Sequence, residues 1–284
     1  MRAITAHLLC FALVALDLVV RTWRTQVFLR ALGVRLGFRE VLVQSAIGET
    51  ASSLTPLRAG GEPVRVWVMG AQGVSSRIAI VAVGLEFVAV IAVIVLAALA
   101  IGFAAGGEWW RAAGPGLMRS AARSWPWLAG MALLTLLAWL LIRRTRPEFL
   151  HIAGTEFDAA RGHMRDVPAI TYLVCTGLTL VQIVARAAVL PVLALTLPAP
   201  PPLVATVVGS FALIYAQAII PAPAGAGPVE LGFLGGAAGN LGADETLLLA
   251  WWRFYTTILG VVLGLVLGVR RFHTNILALV RQRG

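Results

Sequence analysis

Long runs of apolar residues, separated by short polar stretches, make up most of this sequence. They cover roughly 4–23, 40–55, 76–105, 125–142, 167–197, 202–220, 229–241 and 246–269. Several of them approach the ~20 residues that a helix needs to cross a bilayer. Because lipid offers the backbone no hydrogen-bond partners, all of these runs should be helical. The pattern predicts an all-α polytopic membrane protein with about 6–8 membrane helices.

Two Pro/Gly-rich stretches interrupt the apolar pattern in the same way. Pro56–Val64 and Pro221–Val229 share Pro, Ala, Gly, Pro and Val at identical spacing, 165 residues apart. The same offset aligns Arg21 with Arg186. Paired breaks in two halves of a membrane protein indicate a transporter's substrate site. We therefore predict two re-entrant or broken helices whose tips both lie near the middle of the membrane.

The repeat also predicts how the chain is organised. We expect a single transmembrane domain over 1–284, made of one repeat at about 1–105, a connector helix at about 125–142 and a second repeat at about 166–270. Composition agrees, because the chain is 59% hydrophobic and only 13% charged, whereas soluble domains carry about 25% charged residues. No stretch remains that would form a separate soluble domain.

The sequence has 23 arginines and no lysine, and its net charge is +10. The arginines concentrate at 21–39, at 143–165 and in the C-terminal tail. Placing these three groups in the cytoplasm puts the N-terminus outside and the C-terminus inside a bacterial inner membrane. Arg111, Arg119 and Arg123 would then lie outside, so eight full crossings with both ends inside is the alternative. We expect no nucleic-acid binding, because no arginine cluster lies on a soluble surface.

The first motif is the densest polar group within the membrane region. Its two arginines can grip a phosphate through paired hydrogen bonds, and its glycines permit tight turns. A helix that restarts near Pro63 would add free N–H groups for an anion. The alternative is a cytoplasmic turn with ordinary flanking charges. The predicted substrate-binding residues of this motif are Arg58, Gly60, Gly61, Glu62 and Arg65.

The second motif contributes Gly225, Gly227 and Glu230. Pro228 favours a helix start, so Glu230 falls in a first helical turn, where a carboxylate is stabilised. It can bind a cationic headgroup, or it can form a structural salt bridge.

Other charged residues lie within apolar helices, where exposure to lipid is unfavourable. Asp17 and Arg21 are four residues apart and can pair on one helix face. Glu86, Arg186 and Arg253 have no obvious local partner, so we expect them to line a hydrated cavity. We find no metal-ligand spacing, nucleotide loop or catalytic triad. We therefore expect no cofactor and no enzymatic activity, with transport that is downhill or coupled to an ion gradient.

The two motifs together resemble a known membrane family. The order Pro, Arg, Gly, Glu, Arg in Pro56–Arg65 resembles the "P-x-R-x-G-E-x-x-R" segment of the lysylphosphatidylglycerol synthase/flippase membrane domain. Pro221–Glu230 is similar to that family's "P-x-P-G-G-x-G-x-x-E" segment, with Ala224 at a usual Gly position. Glu86 and Trp23–Arg24 also fit. The resemblance covers nearly the whole chain, although the family often has an Asn shortly before the first Pro.

The resemblance implies translocation of lipid headgroups, with phosphate-bearing membrane lipids as the binding partners. The aminoacyl-transferase domain of the synthases has no counterpart here, so we expect that this chain does not itself make lysyl-lipid. Two alternatives remain open. One is a secondary transporter of a small soluble anion, and the other is a non-transporting partner of a lipid-modifying enzyme.

Overall fold

The computed structural model describes residues 3–145, 167–218, 220, 222–239 and 244–281. Every regular element in these ranges is helical, which confirms the all-α prediction. The helices are α1 (Ala3–Ala31), α2 (Phe38–Leu54), α3 (Gly61–Ala71), α4 (Ser76–Thr145), α5 (Ala169–Ala187), α6 (Val189–Ala194), α7 (Leu203–Ala216), α8 (Pro228–Gly232), α9 (Glu245–Arg253) and α10 (Leu259–Arg281).

Within the described ranges, four helical segments are long and apolar enough to cross a membrane. They are Ala3–Ala31, Ser76–Arg119, Ala169–Ala194 and Glu245–Arg271. The fourth joins α9 and α10 through a single π-helical turn at Phe254–Ile258. This arrangement confirms a polytopic α-helical membrane protein.

The connector region differs from the sequence expectation. The apolar runs at 76–105 and 125–142 are not separate helices but parts of the 70-residue helix α4. Pro115 and Pro126 lie inside this helix. The intervening residues are less apolar, which suggested a break, yet most of them are compatible with helical backbone. At 1.5 Å per residue, α4 is about 105 Å long, far more than a bilayer's thickness.

The two Pro/Gly motifs lie between short helices. The first forms a 3₁₀ turn, Pro56–Arg58, between α2 and α3. The second forms a 3₁₀ turn, Pro223–Gly225, between α7 and α8. α2 packs against α3 and also against α10, while α1 packs against α5. The motifs are thereby held among the spanning helices rather than at a free end of the fold.

The largest apolar core lies in the second half of the chain. Trp252 and Phe233 are fully buried in it, with their ring centroids 5.6 Å apart. Leu190 and Leu193 of α6 join them, and Cys10 of α1 reaches the same cluster. This core fixes α8 and α9 beside the second motif.

Candidate functional site

Both motif turns contain left-handed backbone at residues other than glycine. Leu57 and Arg58 have φ values of 55° and 57°, and Ala224 has a φ of 49°. Such positions cost roughly 1–2 kcal/mol per residue because Cβ crowds the following carbonyl. Backbone of this kind is concentrated at functional sites. The glycines of the first motif were expected to provide this freedom, but Gly60 has an ordinary φ of −77°.

The two turns have the same backbone course. Each follows an extended residue, Thr55 in the first and Ala222 in the second. Equivalent backbone positions in the two turns are 167 residues apart, whereas the sequence motifs align at an offset of 165. The difference arises because the stretch from the start of the helix to its turn is two residues longer in α7 than in α2. The turns also touch each other, and Arg58 Nη1 donates to Gln217 Oε1 at 3.4 Å. The two motif turns are therefore in contact in the fold.

Glu86 is the centre of one buried charge cluster. Its side chain is only 2% exposed. Arg24 donates to Oε1 from Nη2 at 2.5 Å and from Nε at 3.1 Å. Arg65 and Thr25 both donate to Oε2. One carboxylate thus joins α1, α3 and α4.

Arg65 uses all three of its guanidinium nitrogens within this cluster. Nε donates to Gln44 at 3.0 Å, and Nη1 donates to Glu62 at 3.0 Å. Nη2 donates to Thr25 and to Glu86. A phosphate held by Arg65 would have to replace these protein oxygens. Gly48 makes room for the arginine, since a Cβ there would lie 2.3 Å from Arg65 Cγ.

Glu49 is the centre of a second cluster. Its Oε1 accepts from Arg58 at 2.7 Å and from Arg186 at 2.6 Å. Its Oε2 accepts from Arg21 at 2.5 Å. Arg21 also donates to Asp17 at 2.9 Å, which confirms the pair predicted from their spacing. Arginines from α1, the first turn and α5 therefore converge on a single carboxylate of α2.

The third cluster holds the second turn. Arg253 pairs with Glu230 at 2.5 Å and donates to the carbonyl oxygen of Ala224 at 3.0 Å. Glu230 accepts from the backbone N–H of Gly227 at 2.7 Å. α8 begins at Pro228, which confirms both the expected helix start and the position of Glu230 in the first turn.

A cavity of about 250 Å³ adjoins the Glu49 cluster. Its lining includes apolar residues of α1 together with Leu259, Gly260 and Leu263 of α10. Asp17, Arg21, Glu49 and Arg186, which are joined by ion pairs, form the charged part of the lining. Phe11, in the α1 part of the lining, is 58% exposed, so this part of the lining reaches the protein surface.

The structure groups the eleven predicted site residues into these three clusters. Glu62, Arg65 and Glu86 meet at the first cluster, with Gly60 and Gly61 at the nearby α2–α3 junction. Arg58 and Arg186 meet at Glu49, and Gly225, Gly227, Glu230 and Arg253 form the third cluster.

Glu86, Arg186 and Arg253 all have ion partners, which the sequence hid because the partners are distant along the chain. Arg186 also lines the cavity. Glu49 and Arg24 were not predicted as site residues, yet each joins several elements. An acidic residue inside a short apolar helix was the available signal for Glu49.

The fold and its buried ion clusters define a polytopic α-helical membrane protein with charged groups enclosed among its helices. Residues 1–264 match the family model described as the lysylphosphatidylglycerol synthase TM region, so the chain belongs to that family. This confirms the resemblance carried by the two motifs and indicates a membrane-embedded, lipid-related function. No protein of curated function gives a match.

Proposed function

We propose that this protein is a flippase-like transporter that moves lipid headgroups across the bilayer. Its substrate is an anionic or zwitterionic phospholipid or a polyprenyl-phosphate lipid. The observation that carries the proposal is the cavity between α1 and α10, whose lining combines apolar side chains with the charged group around Glu49. Such a shape suits an amphiphile whose headgroup enters the protein while its tails stay in lipid.

The motif residues have distinct roles in this proposal. Arg58 and Arg65 hold the phosphate, and Glu62 and Glu230 orient these arginines or bind an amine. Arg186 and Arg253 line the path between the turns, while Glu86, 2% exposed, holds Arg65 in place. Arg58 is well placed for this role, because its side chain is 20% exposed and lies where the two turns touch. The reaction is transport, with no chemical change in the lipid.

A headgroup-accessibility assay in proteoliposomes tests the proposal. Vesicles contain one fluorescently labelled lipid at a time, either anionic phospholipid, aminoacylated phospholipid or polyprenyl phosphate. A membrane-impermeant reductant quenches the outer leaflet, and continued quenching reports transport. We expect wild type to move one of these classes and Arg58→Ala to slow that movement at least ~10-fold, the loss expected when a charge-assisted phosphate contact is removed.

The matched control is Arg35→Ala, an equal change at an exposed arginine of the α1–α2 loop. It should transport at the wild-type rate. If no lipid moves in any vesicle but a soluble radiolabelled anion is taken up, the protein is a secondary anion transporter. If transport appears only after a co-purifying lipid-modifying enzyme is added, the partner role replaces the flippase role.

A further inference from the structure

The Glu49 cluster has more positive charge than its carboxylates balance. Arg21, Arg58 and Arg186 face Glu49 and Asp17, so the group carries a formal charge of +1. Replacing buried ion pairs by apolar residues is often neutral or stabilising, so stability alone does not call for three arginines here. An arrangement of this kind is typical of a site that binds an additional or alternative anion.

Unused hydrogen-bonding groups lie in the same cluster. Arg21 Nε is a buried donor without a partner, and Asp17 Oδ1 is a buried acceptor without one. Buried polar atoms normally have partners, so each orphan needs an explanation. Both residues line the cavity between α1 and α10. An anionic ligand seated there would reach the Arg21 Nε donor that Glu49 leaves unused.

The ligand chemistry follows from the donors. Three guanidinium groups from three elements surround one point, and a guanidinium matches phosphate oxygens in paired geometry. The two oxygens of Glu49 engage one N–H from each arginine, at 2.5 to 2.7 Å. A phosphate group offers more oxygens than a carboxylate and can therefore engage more of these donors. The aliphatic walls beside it suit a hydrocarbon chain.

We propose that Arg21, Arg58 and Arg186 form the binding site for a phosphate-bearing amphiphile, and that the Glu49 carboxylate occupies this site as a built-in competitor. The substrate phosphate takes the place of Glu49 on the arginines. This inference rests on the proposed transport function and names the chemistry of its substrate. It also moves the principal phosphate site away from Arg65, whose donors are already engaged by protein oxygens.

Exchange at Glu49 also changes which elements are joined. In the described structure this carboxylate links α2 to α1, to the first turn and to the end of α5. When the phosphate replaces it, the arginines remain gathered around the ligand but α2 is released from them. Binding is thereby coupled to movement of α2 relative to α1 and α5.

Calorimetric titration of detergent-solubilised protein with dodecyl phosphate tests the site. Glu49→Gln removes the competing charge while keeping the side-chain size. Because a competitor that occupies the site reduces apparent affinity by the fraction of open sites, we expect Glu49→Gln to lower the Kd about 10-fold. Adding Arg186→Gln to Glu49→Gln should raise the Kd again by at least ~10-fold, through loss of a charge-assisted contact.

Glu40→Gln is the matched control, because it makes the same change on the same helix, nine residues earlier. Gln at this position can still cap the helix by accepting from the Gly37 N–H. Its Kd should equal that of wild type. Partition of the probe into micelles affects both proteins equally and therefore cannot produce a difference between their Kd values. A folded Glu49→Gln protein whose affinity equals or falls below that of wild type overturns the proposal. If Glu49→Gln does not fold, Glu49→Asp, whose shorter side chain reaches the arginines less well, should still bind more tightly. An unchanged Kd in folded Glu49→Asp would also overturn the proposal.

Inorganic phosphate separates this inference from the proposed function. Dodecyl phosphate should bind far more tightly than inorganic phosphate, because its chain uses the apolar walls. If the two bind equally and Glu49→Gln tightens both, the exchange at Glu49 stands and lipid transport fails. If vesicles show lipid transport while Glu49→Gln leaves binding unchanged, transport stands and the competitor role of Glu49 fails.

Discussion

Arg24 holds Glu86 with two hydrogen bonds, from Nη2 at 2.5 Å and from Nε at 3.1 Å, although 62 residues separate them along the chain. Both side chains are almost completely buried. This contact joins α1 to α4, and Arg65 extends it to α3. The Glu86 carboxylate on the spanning helix α4 therefore anchors the first motif through Arg65.

Removal of Glu86 should destabilise the fold strongly. Glu86→Ala leaves Arg24 and Arg65 buried without their shared counter-charge. Breaking one side of a buried ion pair costs about 3–5 kcal/mol. We expect a marked fall in the thermal unfolding midpoint in detergent, measured by fluorescence. Glu108→Ala, on the exposed surface of the same helix, should leave the midpoint nearly unchanged. Equal midpoints for the two variants would contradict the role of Glu86.

The crossing of α2 and α3 should be sensitive to a single methyl group. In Gly48→Ala the new Cβ would stand 2.3 Å from Arg65 Cγ and 2.7 Å from Arg65 Cδ. Overpacking of this kind costs about 1–3 kcal/mol. Gly70→Ala is the matched control, because nothing lies within 4 Å of its added Cβ. We expect Gly48→Ala to unfold earlier in a denaturant titration and Gly70→Ala to unfold at or above the wild-type midpoint.

The second turn should tolerate glycine better than alanine. Ala224 has a φ of 49°, and glycine there relieves about 1–2 kcal/mol of backbone strain. Glycine also gives the unfolded chain more conformational freedom, which lowers the free energy of unfolding by about 0.4–1 kcal/mol. Ala224→Gly should therefore be neutral or stabilising by up to about 1.6 kcal/mol, as measured by thermal unfolding. Ala226→Gly, at a φ of −55°, should be destabilising, and the reverse order would show that the turn is unstrained.

Topology reporters should place the C-terminus in the cytoplasm. Arg270 and Arg271 lie towards the end of the fourth candidate span, and arginines flanking a span favour the inner side. A reporter that is active only in the cytoplasm should be active when fused after residue 284. A reporter that is active only in the periplasm should be silent there. The opposite result would invert the orientation of the whole chain.

The helical architecture could be predicted because the lengths of the apolar runs leave few alternatives in lipid. The α1 prediction at 4–23 fell short of the observed end at Ala31, since the last turns of α1 are polar but buried by other helices. The continuity of α4 was missed for a related reason. Hydropathy measures preference for lipid, not helical backbone, and the less apolar residues before Arg123 remain helical.

The candidate site was predictable as a set of residues but not as a set of pairs. Charges within apolar runs marked Arg58, Arg186 and Glu86, because such residues require partners in a membrane protein. Which partner each one has depends on contacts between distant helices, as between Arg186 and Glu49, 137 residues apart. Only the local pair Asp17–Arg21 could be read from spacing.

Arginine is the only kind of cation in the three buried clusters, and this choice determines how they can respond to pH. A guanidinium group stays protonated throughout the physiological range. Acidification or a proton gradient therefore acts on these clusters only through their carboxylates. Among them, Glu86 is sealed at 2% exposure, whereas Glu62, its neighbour across Arg65, is 41% exposed. Glu62 is thus the carboxylate of that cluster through which protons from solution would be exchanged.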